Sequence, residues 1–229
     1  MENKEAFGFI LINKPIGPSS HYIINQLRKI TSIKKIGHAG TLDPFASGLL
    51  IVAIGRPATK NINQFVKLDK QYQTEVILGK ETDSYDKTGK IINKYLGKKI
   101  SLTKIKLVLN IISKTTTQIP PMYSAKKING QKLYVLARKN IEIKRQAQKI
   151  KIYNIKILNY SWPKLKLEIY CSSGTYIRAI AHDLGEFLGC GACLNRLKRI
   201  SIGKYSIKKS KQPKKLNPEN WQKYLFNIQ

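Results

Sequence analysis

Asp43 is the residue whose surroundings look most like chemistry. It is one of five aspartates and lies in the segment Lys34 to Gly48, between the basic pair Lys34-Lys35 and the apolar run Leu49 to Ile54. Gly37, Gly40 and Gly48 let backbone approach a ligand closely, and Pro44 pushes Asp43 out of the helical region. A carboxylate held this way at a strand start suits nucleophilic work. On spacing alone the same residue could simply order the loop through an Asx turn. The second candidate is Cys171-Ser-Ser-Gly-Thr-Tyr-Ile-Arg178, where a strand turns at Gly174 and enters a helix presenting Tyr176 and Arg178. Such a helix start can bind an anion. A buried Arg178 would need a carboxylate partner, for which Asp43 is a candidate and which would keep Asp43 ionised. The bland alternative makes Arg178 a surface residue and Tyr176 a core aromatic.

A third constellation is Cys190-Gly-Ala-Cys193 with Cys171 and His182, which could form a Cys3His zinc site at uneven spacing. No second CxxC supports it, and three cysteines without an export signal read as reduced, buried thiols. His21 and His182 read as structural or surface residues, and no metal or cofactor is expected.

The elements that must position these residues follow from periodicity. Phe7 to Ile12 reads as a buried strand, broken by Asn13-Lys-Pro-Ile-Gly-Pro18. A helix capped by Ser19 or Ser20 follows, with Ile23, Ile24, Leu27 and Ile30 on one face. Leu49 to Ile54 is a central strand, a short helix follows Pro57, and Tyr72, Thr74, Val76 and Leu78 alternate as a strand. Residues 82 to 86 form a turn. Ser101 caps a helix marked by Leu102, Ile105, Val108, Leu109 and Ile112. The stretch from about Gln118 to Ala147 is an excursion rich in Pro, Gly, Lys and Arg. Strands return at Ile150 to Leu158 and Leu165 to Cys171, then a helix through Ile177, Ile180, Ala181, Leu184, Phe187 and Leu188. The class is α+β around a mixed, mostly antiparallel sheet flanked by helices.

Charge narrows the partner. The 229 residues carry 42 Lys and Arg against 13 Asp and Glu, a formal +29, which suits a polyanion, nucleic acid first. Part of that excess is what an AT-rich genome would impose, since 35 of the cations are Lys; the seven Arg say more, because Arg makes bidentate contacts that Lys cannot. No run reaches the roughly 18 apolar residues of a membrane span. A cytoplasmic protein is expected.

At this point a resemblance becomes specific. Gly37-His-Ala-Gly-Thr-Leu-Asp-Pro-Phe-Ala-Ser-Gly-Leu-Leu50 resembles the catalytic motif of the bacterial tRNA pseudouridine-55 synthases, the TruB family. Gly174-Thr-Tyr-Ile-Arg178 is similar to their arginine motif and Asn13-Lys-Pro15 with Gly17 to their N-terminal Lys-Pro motif. Ile119 to Lys126 with Gly130 to Tyr134 resembles their RNA-gripping thumb. The resemblance implies a pseudouridine synthase fold with a catalytic domain over residues 1–205, a thumb insertion at about 118–147 and a short basic tail over 206–229. The family's C-terminal RNA-binding domain is expected to be absent, with the tail and overall charge replacing part of its grip. It implies isomerisation of uridine 55 in the tRNA T-loop, with Asp43 as nucleophile, Arg178 its partner and Tyr72 stacked on the base as a catalytic residue that could help remove the C5 proton. His38, Tyr176 and Leu197 would complete the base pocket. The T-arm of tRNA is the expected partner, with a monomer and no obligate protein partner. The alternative is a noncatalytic RNA-binding protein or tRNA-folding chaperone of the same fold. A zinc- or thiol-dependent protein built on the CxxC is a distant third.

Overall fold

The structure is a computed structural model, which describes residues 6–228 apart from Asn129 and Asn140. The chain opens with β1 (Gly8–Lys14), α1 (Ser20–Thr31), β2 (Ile36–His38), β3 (Ser47–Ile54), α2 (Arg56–Lys60), α3 (Asn63–Val66) and β4 (Lys70–Leu78). It continues with β5 (Lys80–Thr82), β6 (Ile91–Lys94), α4 (Leu102–Ser113) and β7 (Thr117–Gln118). The hairpin strands β8 (Lys127–Ile128) and β9 (Gln131–Lys132) lead to α5 (Leu133–Arg138) and β10 (Gln148–Lys149). The last elements are β11 (Ile152–Ser161), β12 (Lys164–Cys171), α6 (Ile177–Leu188), β13 (Ala192–Ile202) and β14 (Tyr205–Ser206), followed by three 3-10 turns. The chain divides into two compact units, residues up to Tyr72 with 198–229, and residues 73–197.

In the first unit, β3 is an almost wholly buried strand. One edge pairs antiparallel with β1, from Gly8 opposite Ile54 to Lys14 opposite Gly48. Its other edge takes β2 antiparallel and, at Ser47 and Gly48, the parallel residues Lys198 and Arg199 of β13. Because strand side chains alternate between faces, β3 supplies two cores. Leu50, Val52 and Ile54 pack with Ile10 and Ile12 under Ile23, Ile24 and Leu27 of α1. Leu49, Ile51 and Ala53 pack with Phe9 and Leu11 against Ala58 and Phe65 on the opposite face. The cap of α1 is Ser19, whose hydroxyl accepts the Tyr22 amide.

The segment after residue 205, read from sequence as a basic tail, is a folded part of this unit. Leu216 and Trp221 are buried in the α1 core. Its backbone also closes the free edge of β1: Phe9 and Phe226 exchange both amide–carbonyl bonds, and Lys211 donates to the Leu11 carbonyl and accepts from the Asn13 amide. An open edge strand invites pairing with another chain, so this cover has its own value.

In the second unit, β11 and β12 pair antiparallel, with Leu165, Leu167, Ile169 and Cys171 buried and the residues between them facing outward. Beside β12 lie β4 and then the first part of β13. The helix capped by Ser101 forms as its spacing predicts, burying Ile105, Val108, Leu109 and Ile112. The expected excursion at 118–147 is closed at its base by β7 and β10, which pair Gln118 with Gln148. It carries the β8–β9 hairpin and α5.

The buried Trp221 gives a direct test of the folded tail. Trp221→Ala should cost about 3–5 kcal/mol in denaturant unfolding, whereas Lys214→Ala, exposed in the same segment, should change stability by no more than about 0.5 kcal/mol.

Candidate active site

The Asp43 segment is fastened at nearly every residue around the carboxylate. Upstream, His38 ends β2 and the Ala39 amide donates to the Ile51 carbonyl. The Ser20 hydroxyl both accepts the Leu42 amide at 2.9 Å and donates to the Leu42 carbonyl at 3.0 Å. Downstream, the Pro44 carbonyl accepts the Gly17 amide at 2.8 Å, and the Asp43 carbonyl accepts the Ala46 amide at 3.0 Å. Thus the Lys-Pro turn before α1 and the first residue of α1 both hold the loop. The bond from the Ala46 amide to the Asp43 carbonyl closes a turn around the carboxylate.

Arg199 spans the base of the loop. It is 1% exposed, and its guanidinium donates to the Leu49 carbonyl through Nε at 2.8 Å and to the Gly40 carbonyl through Nη2 at 3.0 Å. Gly48 lets β13 come this close: a Cβ there would lie 2.3 Å from the Arg199 carbonyl oxygen, and its φ of +114° suits glycine. Lys14 is also fully buried, donating to the carbonyls of Pro15 and Pro18. Burial lowers its pKa to about 8 against the opposing pull of the Asp43 carboxylate, with Arg199 adding to the lowering. Lys70, buried on β4, donates to the carbonyls of Val66 and Leu68. The Asp43 loop is therefore set among buried cations that donate to backbone carbonyls.

His38 and Tyr72 belong to the same unit. Burial, followed by the charges of Arg199 and His21, lowers the His38 pKa below its usual value, so the ring is neutral at pH 7. Its Nδ1 is buried and takes no hydrogen bond among the described residues. Tyr72 is buried on β4. Beside the loop opens a cavity of about 820 Å³, whose lining includes Lys14, Tyr22, Gln26, Lys29, Ser47 and Lys198.

The second unit holds Arg178, Tyr176 and Leu197. Arg178 is not the surface residue of the bland alternative: it is 5% exposed at the start of α6. Its Nη1 lies 3.2 Å from the Asp86 carboxylate and 3.2 Å from the Ser84 carbonyl, and Nη2 donates to the Tyr123 carbonyl at 2.6 Å. Asp86 in turn accepts from the Ser84 hydroxyl and the Thr88 amide. The turn after β5 is thus an orienting device for the guanidinium, with Asp86 as the carboxylate that balances it. Tyr176 is fixed through its backbone, exchanging an amide pair with the Gln118 side chain. Leu197 is buried on β13.

Sequence reasoning missed Arg199, Ser20, Asp86 and Gln118, and gave Lys14 no role. A signal existed for two: Lys14 follows Ile10 and Ile12 on the inward parity of β1, and Arg199 shares the parity of Leu197 on β13. Nothing in the sequence marks Asp86. All three cysteines are buried, and burial raises the Cys190 and Cys193 pKa values, which makes those two poor nucleophiles. The Cys3His grouping does not form: among the described residues, the group with metal-ligand spacing is Glu81, His182 and Glu186, which contains no cysteine. No helix among them is long and apolar enough to cross a membrane.

Comparison with known proteins shows the family. The family model of the N-terminal domain of TruB family pseudouridylate synthase matches residues 28–177, and that of the tRNA pseudouridylate synthase B C-terminal domain matches 178–224. The tRNA pseudouridine synthase B of Protochlamydia amoebophila is 46% identical over 87% of this chain and 76% of its own length. That of Clostridium acetobutylicum is 43% identical over 96% and 76%. Among solved structures, a chain of a Cbf5–Nop10–Gar1 complex aligns with a TM-score of 0.69 at 26% identity, covering 90% of this chain. A chain of the archaeal box H/ACA Nop10–Cbf5 complex aligns with a TM-score of 0.65 at 24% identity, a likeness of fold. This chain spans about half the length of each of those two. With its fastened aspartate loop, its α+β architecture and the match of both domain models, the chain belongs to the TruB family of tRNA pseudouridine synthases, which are isomerases.

Proposed function

We propose that this chain converts uridine 55 in the T-loop of tRNA to pseudouridine, with Asp43 as the nucleophile and without a metal or organic cofactor. The observation that carries the reading is the fixed Asp43 loop, clamped by Ser20, Gly17 and Arg199 and set among buried cations. Breaking the bond between uracil N1 and ribose C1′ and rejoining the base through C5, whose proton passes to a base while N1 gains one, needs a group that can bond covalently and then leave, which a carboxylate can do. A target base inside a folded RNA loop must first be extruded, at a cost of a few kcal/mol. Tyr72 would stack on that base. Arg178, oriented by Asp86, Ser84 and Tyr123, would pair with Asp43 in the reacting complex. The His38 Nδ1, buried and without a described hydrogen bond, would meet the flipped nucleotide, and Tyr176 and Leu197 would complete its pocket. The T-arm would be the partner, with Lys29 and Lys198 beside the loop neutralising its phosphates, which positions the RNA without reading sequence.

The test is position-mapped conversion of uridine in an unmodified tRNA transcript. Wild type should modify the T-loop site, and Asp43→Ala should bind tRNA while losing activity on the order of 10⁴-fold or more. A folded wild type that binds tRNA and converts nothing would instead favour a noncatalytic RNA-binding role.

Two further outcomes follow from the surrounding charges. Lys14 loses its proton near pH 8, and with it the attraction to the Asp43 carboxylate, so single-turnover rate should fall as pH rises through about 8. Lys14→Met should be slower at pH 7 and should lack that alkaline limb. Asp86→Asn keeps the shape of the residue but removes the charge balancing Arg178. It should lower the single-turnover rate by about 10-fold or more and stability by about 3–5 kcal/mol, the cost of breaking a buried ion pair by removing one of its charges.

A further inference from the structure

We propose that Gln118 and Gln148 are positioning residues for the reaction, holding from the base of the 118–147 excursion the loop that carries Tyr176 and leads into Arg178. The two glutamines are Cα partners in the β7–β10 pair. That backbone pairing closes the excursion by itself, so their side chains are not required for closure. Both side chains reach instead to the chain between β12 and α6. The Gln118 side-chain amide accepts the Tyr176 amide at 2.8 Å and donates to the Tyr176 carbonyl at 3.1 Å. The Gln148 side-chain amide donates to the Gly174 carbonyl at 2.7 Å.

The need for an outside hold follows from the residues of this loop. Gly174 turns the chain at a φ of +83°, and glycine restricts its own conformation little. Tyr176 is the N-cap of α6, a position where Ser, Thr, Asp or Asn fastens the first turn with its own side chain and tyrosine is not of that type. Gln118 supplies that fixing from a separate strand. It is 5% exposed, so its bonds are sheltered from competing water. Arg178 is the second residue of α6, and the direction in which the helix starts therefore sets where its side chain begins. The guanidinium returns to the excursion, donating to the Tyr123 carbonyl at 2.6 Å, and Lys126 donates to the Gln148 side chain at 3.2 Å. The excursion thus holds Arg178 at both ends, its backbone through Gln118 and its fork through Tyr123. Ser172, where the loop leaves β12, is tied separately to Lys151 through its amide and hydroxyl. The glutamines govern the part nearest Arg178. This role rests on Tyr176 and Arg178 serving the reacting base, where a misplacement of about 1 Å costs on the order of 100-fold in rate.

Gln118→Met removes both Tyr176 bonds at nearly constant volume. Gln148→Met, at a half-buried position, removes the bonds to Gly174 and Lys126 and keeps the test open should Gln118→Met lose its fold. Thr117→Ala, exposed on the same strand as Gln118, is the control. On each full chain, hydrogen exchange of the 172–178 amides is measured without RNA, and steady-state conversion is measured with an unmodified tRNA transcript. Both glutamine variants should exchange those amides faster by about 10-fold or more. Their kcat should fall by about 10- to 100-fold with KM within about 2-fold of wild type, since positioning acts in the transition state and not on RNA binding. In an Arg178→Lys background Gln118→Met should cost much less than it does alone, because a residue acting through Arg178 loses its effect once the fork is gone. Exchange equal to that of the control, a loss confined to KM, or losses that multiply with Arg178→Lys would overturn this role. A wild type that converts nothing would overturn the proposed reaction instead, and the exchange rates would still decide whether the two glutamines hold the loop.

Discussion

The Arg199 guanidinium, donating to the carbonyls of Gly40 and Leu49, is the interaction on which the Asp43 loop depends. It joins the two ends of the eight-residue excursion that leaves β2 and enters β3, and it does so from a strand that runs parallel to β3 at Gly48. Removing a charge from water is expensive, and a lone buried guanidinium would destabilise the fold unless its donors were used. Here Nε and Nη2 are used on backbone, so the same bonds that make Arg199 more tolerable inside the unit also fix the backbone on both sides of Asp43. Lys14 repeats this arrangement on the other side, with Pro15 and Pro18 as acceptors. Positioning of the acid is thereby built into the core and does not await a ligand.

The sequence was most readable where one periodicity acted alone. The α1 stripe, the α4 stripe with its Ser101 cap, the run Leu49 to Ile54 and the alternation of β12 all appear in the structure. The reading failed where polar residues take buried positions. β1 continues two residues past Ile12 through Asn13 and Lys14, because strand pairing with β3 and two carbonyl acceptors replace the apolar burial that marks the rest of the strand. β13 was not read as a strand at all: Asn195, Arg196, Lys198 and Arg199 interrupt its apolar pattern, and only tertiary partners show why they are admitted. Trp221 and Leu216 were hidden in the same way by the lysines and prolines around them.

For the site, motif residues were legible and their supports were not. Asp43, His38, Tyr72 and Arg178 stand in distinctive local contexts, so resemblance could assign them expected roles. Asp86 stands in an ordinary turn, and its pairing with Arg178 spans more than ninety residues of sequence. No local pattern encodes such a contact. The Ser20 hydroxyl is a comparable case, since a serine opening a helix is adequately explained as a cap. Its bonds to Leu42 emerge only when α1 and the loop are placed together.

The net charge of +29 separates, in the structure, into two populations with different physics. Arg28, Arg145, Arg178 and Arg199 each donate to at least one loop carbonyl, at Lys34, Pro120, Ser84 with Tyr123, and Gly40 with Leu49. A planar fork of five donors can join separate acceptors at once, which a lysine ammonium on a flexible stem does with less geometric control. These four arginines therefore act mainly as internal ties. Most lysines are exposed and meet no carboxylate, so their charge is left to act outward on a polyanion. Composition alone counts both populations as the same evidence for nucleic acid. The exposed lysines, together with the exposed Arg56, Arg138 and Arg196, can supply a salt-dependent grip, whereas the four tied arginines help give the surface around them a fixed shape.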